Sequence, residues 1–206
     1  MGEPLVVVVG VLEMNCYVWP VGDSGALVVD PGAEAPRIDR VLDENGLTPV
    51  AIALTHGHPD HLGGAGEMAR RHLVPCYLHP DDLIWVAALK EEWLEVYGPR
   101  PTEWPHFTSY PALLTFPALQ IEVLPLPGHS PGGVVLYDAK GGIAAVGDSI
   151  FAGSVGRTDL PGGDPDTLFH NLERVVMSLP DATRLLPGHG PATTVGEEKR
   201  SNPFLV

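Results

Sequence analysis

The chain has 206 residues, 44% of them hydrophobic, and a formal net charge of −14. That length and apolar content suffice for one full core, so a single domain over residues 1–206 is expected. With 12 basic residues against 26 acidic ones and no basic run, the composition argues against nucleic-acid or membrane-surface partners, which are held by Lys and Arg.

Other classes fall away at the same level. No stretch is long enough to span a membrane. The apolar run Leu5 to Leu12 is short, rich in valine and without a basic flank, so it reads as a strand rather than a signal peptide. Met1-Gly2-Glu3-Pro4-Leu5-Val6 lacks the Ser or Thr that N-myristoylation needs at the sixth position. Cys16 and Cys76 are the only cysteines, too few for a disulfide framework, and a reduced cytoplasmic setting with both thiols buried is expected.

In chain order, Val6 to Leu12, Cys16 to Val21 and Ala26 to Val29 read as strands, the last two joined by a turn over Gly22 to Gly25. Asp30-Pro31-Gly32 ends the third. Asp30 is either a turn residue bonding its own backbone or an outer partner of a metal-binding histidine. Pro36 to Asn45 has helical spacing and Gly46 as its stop. The apolar run Val50 to Leu54 then opens onto Thr55-His56-Gly57-His58-Pro59-Asp60-His61. Three histidines and a carboxylate within six residues are ligands suited to zinc, iron or manganese. A tight loop can aim His56 and His58 at one metal while Asp60 and His61 face a second.

Leu62 to His72 is expected to be helical despite its glycines, with His72 a cation near the helix end. Val74 to Leu78 is a strand, His79 precedes the next helix, and that helix runs from Asp82 to Tyr97 with Trp85 and Trp93. Gly98 to Pro117 interleaves five prolines with aromatic residues and is expected to be a packed loop without regular structure, walling a pocket or decorating the surface.

Gln120 to Leu126, Gly133 to Tyr137 and Gly142 to Val146 make a second set of strands. A glycine-rich loop over 153–163 comes next. Asp164 caps a helix with Leu168, Leu172, Val175, Val176 and Leu179 on one stripe, leaving His170 in solvent. Arg184 to Leu186 is the last strand and Val195 to Arg200 a short surface helix. Three further apolar runs each stop at a small residue and then present one metal-competent side chain: Pro127-Gly128-His129, Gly147-Asp148 and Pro187-Gly188-His189. Side chains delivered by strand ends gather in the loops beyond a sheet, so a single site at one sheet edge is expected.

In this order and spacing the motifs resemble the metallo-β-lactamase superfamily, and the resemblance covers the whole chain. It implies an αβ/βα four-layer sandwich, an α/β fold of two mixed sheets packed face to face with helices outside. It also implies that His56, His58 and His129 hold one divalent ion, that Asp60, His61 and His189 hold another, and that Asp148 bridges them. Zinc is the first expectation, iron or manganese the alternatives. Gly156-Arg157-Thr158-Asp159 and the ending Asn202-Pro203-Phe204-Leu205 are similar to short members of the glyoxalase II-like (hydroxyacylglutathione hydrolase-like) subgroup, which lack its C-terminal helical domain. Arg157 lies where that enzyme has a basic residue for a glutathione carboxylate. Asp159 lies where it has a tyrosine, and Pro191 replaces another.

The chemistry implied by the resemblance is that of a metallohydrolase. Two divalent ions against Asp60, Asp148 and a bridging hydroxide leave a small positive charge, and a coordinated water ionises near neutral pH. Asp60 and Asp148 are thus the catalytic carboxylates, Arg157 the substrate-binding cation, and an anionic thioester of the S-lactoylglutathione type the expected substrate. No Gly-x-Ser-x-Gly elbow offers a serine nucleophile. The alternatives are a mononuclear-iron persulfide dioxygenase using His56, His129 and Asp148, and a metal-bound domain without catalysis. Lactone or β-lactam hydrolysis is a further possibility.

Overall fold

The structure is a computed structural model and describes residues 2–87 and 104–205. Two six-stranded sheets lie face to face. The first runs in chain order through β1 (Leu5–Val9), β2 (Met14–Val21), β3 (Gly25–Val29), β4 (Thr48–Ala53), β5 (Cys76–Tyr77) and β6 (Phe107–Thr108). The second comprises β7 (Leu113–Thr115), β8 (Gln120–Pro125), β9 (Val134–Asp138), β10 (Ile143–Gly147), β13 (Arg184–Pro187) and β14 (Thr193–Thr194), in the order β14-β13-β10-β9-β8-β7. A small hairpin, β11 (Ile150–Phe151) with β12 (Ser154–Val155), stands between β10 and β13 in the chain.

Successive side chains of a strand point to opposite faces, and here both faces of the central strands are buried. In β3, Ala26 and Val28 pack outward against helices, while Leu27 and Val29 pack inward against the other sheet. β4 divides the same way, Ile52 outward and Ala51 and Ala53 inward. In the second sheet Val135 and Ala144 face helices, and Leu136 and Ala145 face the sheet opposite. Three apolar layers therefore separate four layers of structure, the αβ/βα sandwich expected. The outer layers are α1 (Ala35–Glu44) and α3 (Ala65–His72) on one side, and α5 (Pro165–Asn171) and α6 (Val195–Ser201) on the other.

Several boundaries differ from the sequence reading. The helix expected over 62–72 is two, α2 (Pro59–Leu62) and α3, parted at Gly63 and Gly64. The helix expected to begin at Asp82 opens with a tight turn, Pro80–Asp82, followed by α4 (Leu83–Ala87). The rest of that helix, with Trp93, lies outside the described residues, as do 98–103. The segment up to Pro117 is not irregular throughout. Phe107–Thr108 pairs with Cys76 and Tyr77, and Leu113–Thr115 pairs with Gln120 to Glu122. Both are short edge strands, where flanking prolines cost no ladder bond. The helix capped by Asp164, whose carboxylate accepts the Thr167 N–H at 2.7 Å, continues from α5 into one wide π-type turn, Leu172–Val176. His72 bonds Asp39 at 2.8 Å rather than serving only the helix end. No helix among the described residues is long and apolar enough to cross a membrane.

Candidate metal centre

β3 and β4 run parallel, as do β10 and β13. Their carboxyl ends meet at one rim of the sandwich and carry Asp30, the His56 loop, Asp148 and His189. The turn after β8 adds His129, and α2 adds Asp60 and His61. All seven residues expected to bind metal come together there, in two adjacent groups. His56, His58 and His129 form one, Asp60, His61, Asp148 and His189 the other, each with its nearest ligand atoms within 4.8 Å of one another. The chain passes closely enough that a Cβ on Gly188 would collide with Asp148 Oδ1 and the His61 ring. Glycine in Pro187-Gly188-His189 is thus a condition of bringing His189 in.

Four of the five histidines have Nδ1 occupied by a partner outside the cluster. His56 Nδ1 lies 3.1 Å from Thr55 Oγ1, which itself donates to Asp30 Oδ2 at 2.6 Å. His61 Nδ1 lies 2.9 Å from Asp30 Oδ2. His129 Nδ1 bonds the Arg157 carbonyl at 2.7 Å, and His189 Nδ1 the Leu12 carbonyl at 3.0 Å. A proton held at Nδ1 by an acceptor leaves the Nε2 lone pair free for a metal.

The inward atoms fit divalent ions. His129 Nε2 is buried without a hydrogen-bond partner, and leaving such an atom unpaired costs about 1–3 kcal/mol, while His61 Nε2 and Asp148 Oδ1 are buried facing each other. His56 Nε2 and His58 Nδ1 face each other at 2.9 Å, close to the roughly 3.3 Å between nitrogens on one tetrahedral zinc. In the second group His189 Nε2 is 3.1 Å from Asp60 Oδ2. Asp148 lies between the groups, its Oδ1 3.2 Å from His61 Nε2 and its Oδ2 3.6 Å from His189 and 3.9 Å from His129.

Charge divides the groups further. Burial, then the neighbouring rings, holds His56 well below the ordinary histidine value, and burial with His129 pushes His58 down to about 3. Burial also keeps His129 low, despite Asp148. His61 behaves oppositely: burial opposes its cation, but Asp148, Asp30 and Asp60 together raise it well above the ordinary value. His189 is raised too, because Asp60 and Asp148 outweigh its burial. Asp148 is held low by His61 and the other rings against its own burial. The first group is a neutral nitrogen set and the second a mixed set with two carboxylates.

A cavity of about 190 Å³ opens over both groups, with Leu12, Trp85 and Leu160 as apolar walls and Arg157 at the mouth. The Arg157 guanidinium makes two bonds to Asp159, at 2.7 and 2.8 Å, with both side chains exposed. Of the two roles open to Asp30, the structure selects the outer partner of the histidines. Sequence reasoning does not single out Thr55, although a hydroxyl directly before His56 is its natural bonding partner. Nor does it find Asn15 and Tyr17. Asn15 Nδ2 donates to the Pro187 and Gly190 carbonyls, and the Tyr17 hydroxyl to Pro187, which ties the His189 loop to β2. No local motif announces a bond between residues so distant in the chain.

The model of the metallo-β-lactamase superfamily matches residues 9–189. The chain belongs to that superfamily. Among curated proteins, a probable metallo-hydrolase of Bacillus subtilis, YqgX, is 38% identical over 96% of this chain and 94% of its own length. Hydroxyacylglutathione hydrolase GloC of Haemophilus influenzae is 33% identical over 97% of this chain and 96% of its own. Among solved structures, TTHA1623 in a di-iron-bound form superimposes with a TM-score of 0.87 at 41% identity, covering 98% of this chain and all of that one. The B3 metallo-β-lactamase BLEG-1 gives 0.90 at 34% identity over 99% of this chain and all of that one. With its histidine-rich centre, this member of the metallo-β-lactamase superfamily is a probable metallo-hydrolase with two candidate metal sites.

Proposed function

We propose that the chain hydrolyses thioesters of the S-lactoylglutathione type with two divalent ions held by His56, His58 and His129 and by Asp60, His61 and His189, joined through Asp148. The observation that carries this is Asp148, whose carboxylate lies between the two ligand groups. Ions bound there would lower the pKa of a water to about 7 and polarise an acyl carbonyl. The chain's own residues supply the rest. Asp30 and the Arg157 and Leu12 carbonyls fix the rings, Asp60 and Asp148 offset the positive charge, and Leu12, Trp85 and Leu160 wall the acyl group. Arg157 is the cation for an anionic substrate, reached by exchange with Asp159. The thiolate product leaves without a strong general acid, so the reaction asks for no separate residue in that task. The hydroxyacylglutathione hydrolase relative supports this class of substrate.

The test is turnover of S-lactoylglutathione by protein isolated without added metal, with metal content measured on the same sample. Hydrolysis that scales with two ions per chain, zinc or iron, supports the reading. Oxygen consumption with glutathione persulfide and one iron per chain would replace it with a dioxygenase, and hydrolysis confined to β-lactams would replace the substrate.

A further inference from the structure

Asp82 lies outside both ligand groups and is fully buried. Its Oδ2 accepts the Gly57 N–H at 2.7 Å and the Ser130 hydroxyl at 2.8 Å, and its Oδ1 accepts the Gly132 N–H at 2.6 Å. Gly57 stands between His56 and His58, and Ser130 is the residue after His129. One carboxylate therefore binds the two loops that make up the first ligand group. Both loops are shaped to reach it. A Cβ on Gly57 would come within 2.7 Å of the Asp82 carbonyl oxygen and 3.0 Å of its Cβ, and one on Gly132 within 2.9 Å of its Cγ. One turn further on, Trp85 meets the His58 ring edge-on at 4.3 Å.

We propose that Asp82 is the positioning residue of the first metal site, setting the spacing between the His56–His58 pair and His129. The role rests on the reading that this group holds a divalent ion. His56 and His58 share one short loop, so their mutual spacing is local. His129 arrives from the other half of the chain, and its distance from the pair depends on what joins the loops. A backbone bond from Val134 N to the Thr55 carbonyl, 2.9 Å, joins them at the base. Asp82 joins them beside the ligands themselves, one rigid planar carboxylate accepting from three donors. Asn in its place keeps the shape but turns an amide N–H toward at least one of those donors.

The test titrates metal-free protein with Zn²⁺ by calorimetry, with His129→Ala and His189→Ala identifying which binding step belongs to which group. Asp82→Asn should weaken the step lost in His129→Ala by about tenfold or more and leave the other within about twofold. Ser130→Ala removes one donor without touching the backbone and should weaken the same step less. It decides the matter should Asp82→Asn not fold. Equal weakening of both steps would reduce Asp82 to general stability, and no weakening of either would overturn the proposal outright. A wild-type chain that takes up no zinc would sink the metal reading and this role with it. The clamp alone would then be read from the Gly57 and Gly132 amide proton shifts in metal-free protein, which should move in Asp82→Asn. Unmoved shifts would show that the clamp does not exist.

Discussion

Asp30 Oδ2 lies 2.9 Å from His61 Nδ1, and both side chains are sealed from solvent. The same carboxylate accepts the Thr55 N–H at 2.7 Å and its hydroxyl at 2.6 Å, and that hydroxyl meets His56. Asp30 therefore orients one histidine of each ligand group. It does so from a left-handed backbone, φ 50°, that few residues except glycine, Asn and Asp adopt readily. Asp30→Asn should lower metal affinity at both groups by roughly 10- to 100-fold, measured by calorimetric titration of metal-free protein. Loss at one group alone would mean that the Thr55 link to His56 carries nothing.

The division into two groups predicts separate stoichiometries. His61→Ala and His189→Ala should each retain one ion per chain, and turnover should fall by more than about a hundredfold, since even outer partners cost 10- to 100-fold. Asp148→Asn should lose more metal and more rate than Asp60→Asn, because an amide between two cations cannot offset their repulsion. Elemental analysis after exhaustive dialysis reads both. Equal losses in the two aspartate variants would remove Asp148 as the bridge.

Where the ligands would fall was legible because four apolar runs end in them, one at the His56 to His61 cluster and three at a single side chain after a small residue, and strand ends are where a layered sheet presents its side chains. Two halves of strands and helices were legible from the apolar runs and the helical stripe of Leu168, Leu172 and Val176, while the four-layer sandwich came from the family resemblance. Edges were harder to read. Phe107–Thr108 and Leu113–Thr115 are two- and three-residue strands among prolines, and their pairing comes from neighbours already in the sheet. Asp82 and Asn15 were invisible for a different reason. Their partners lie far along the chain, and an aspartate in His79-Pro80-Asp81-Asp82 reads locally as nothing more than a helix start.

The shifted histidines predict how the two groups respond to pH. His61 is raised well above the ordinary histidine value by its carboxylate neighbours and His189 is raised as well, whereas His56, His58 and His129 are lowered, chiefly by burial. A metal entering the second group must displace protons, and one entering the first need not. Affinity at the second group should therefore rise with pH up to the raised His61 value, while the first stays flat across neutrality. The linked stability has the matching sign. The stabilisation of the metal-free fold by His61 is present below the unfolded value and is lost as pH rises through the folded one. Calorimetry in buffers of different ionisation enthalpy counts the protons released. Equal release in both steps would contradict the division.

At the cavity mouth, the bond from Arg157 holds the Asp159 carboxyl down at about 2, so the pair is ionic throughout the neutral range. A substrate carboxylate must compete with Asp159 for the guanidinium fork. Asp159→Asn should then lower KM for a carboxylate-bearing thioester, and Arg157→Ala should raise it by roughly tenfold, with a neutral thioester little changed in either. Metal content should hold in both variants, because His129 is oriented by the Arg157 backbone rather than its side chain. Parallel KM changes for charged and neutral substrates would reduce the pair to a surface contact.

A second buried clamp joins α6 to the β11–β12 hairpin. Asn202 is fully buried, and its amide donates to the Ser154 carbonyl at 3.0 Å and to Glu198 Oε2 at 2.7 Å. Glu198, buried on α6, also accepts the Gly153 N–H at 3.0 Å and the Thr193 hydroxyl at 2.6 Å. Together they fix the β11–β12 hairpin, and two residues beyond it the Arg157 carbonyl orients His129. Asn202→Ala leaves the Ser154 carbonyl unpaired and removes one donor from Glu198, at a cost of about 1–3 kcal/mol. Denaturant unfolding of the metal-free protein should show that loss. If the hairpin transmits it, zinc affinity should weaken at the His129 group and hold at the His189 group. A loss of stability with both affinities unchanged would confine Asn202 to the fold.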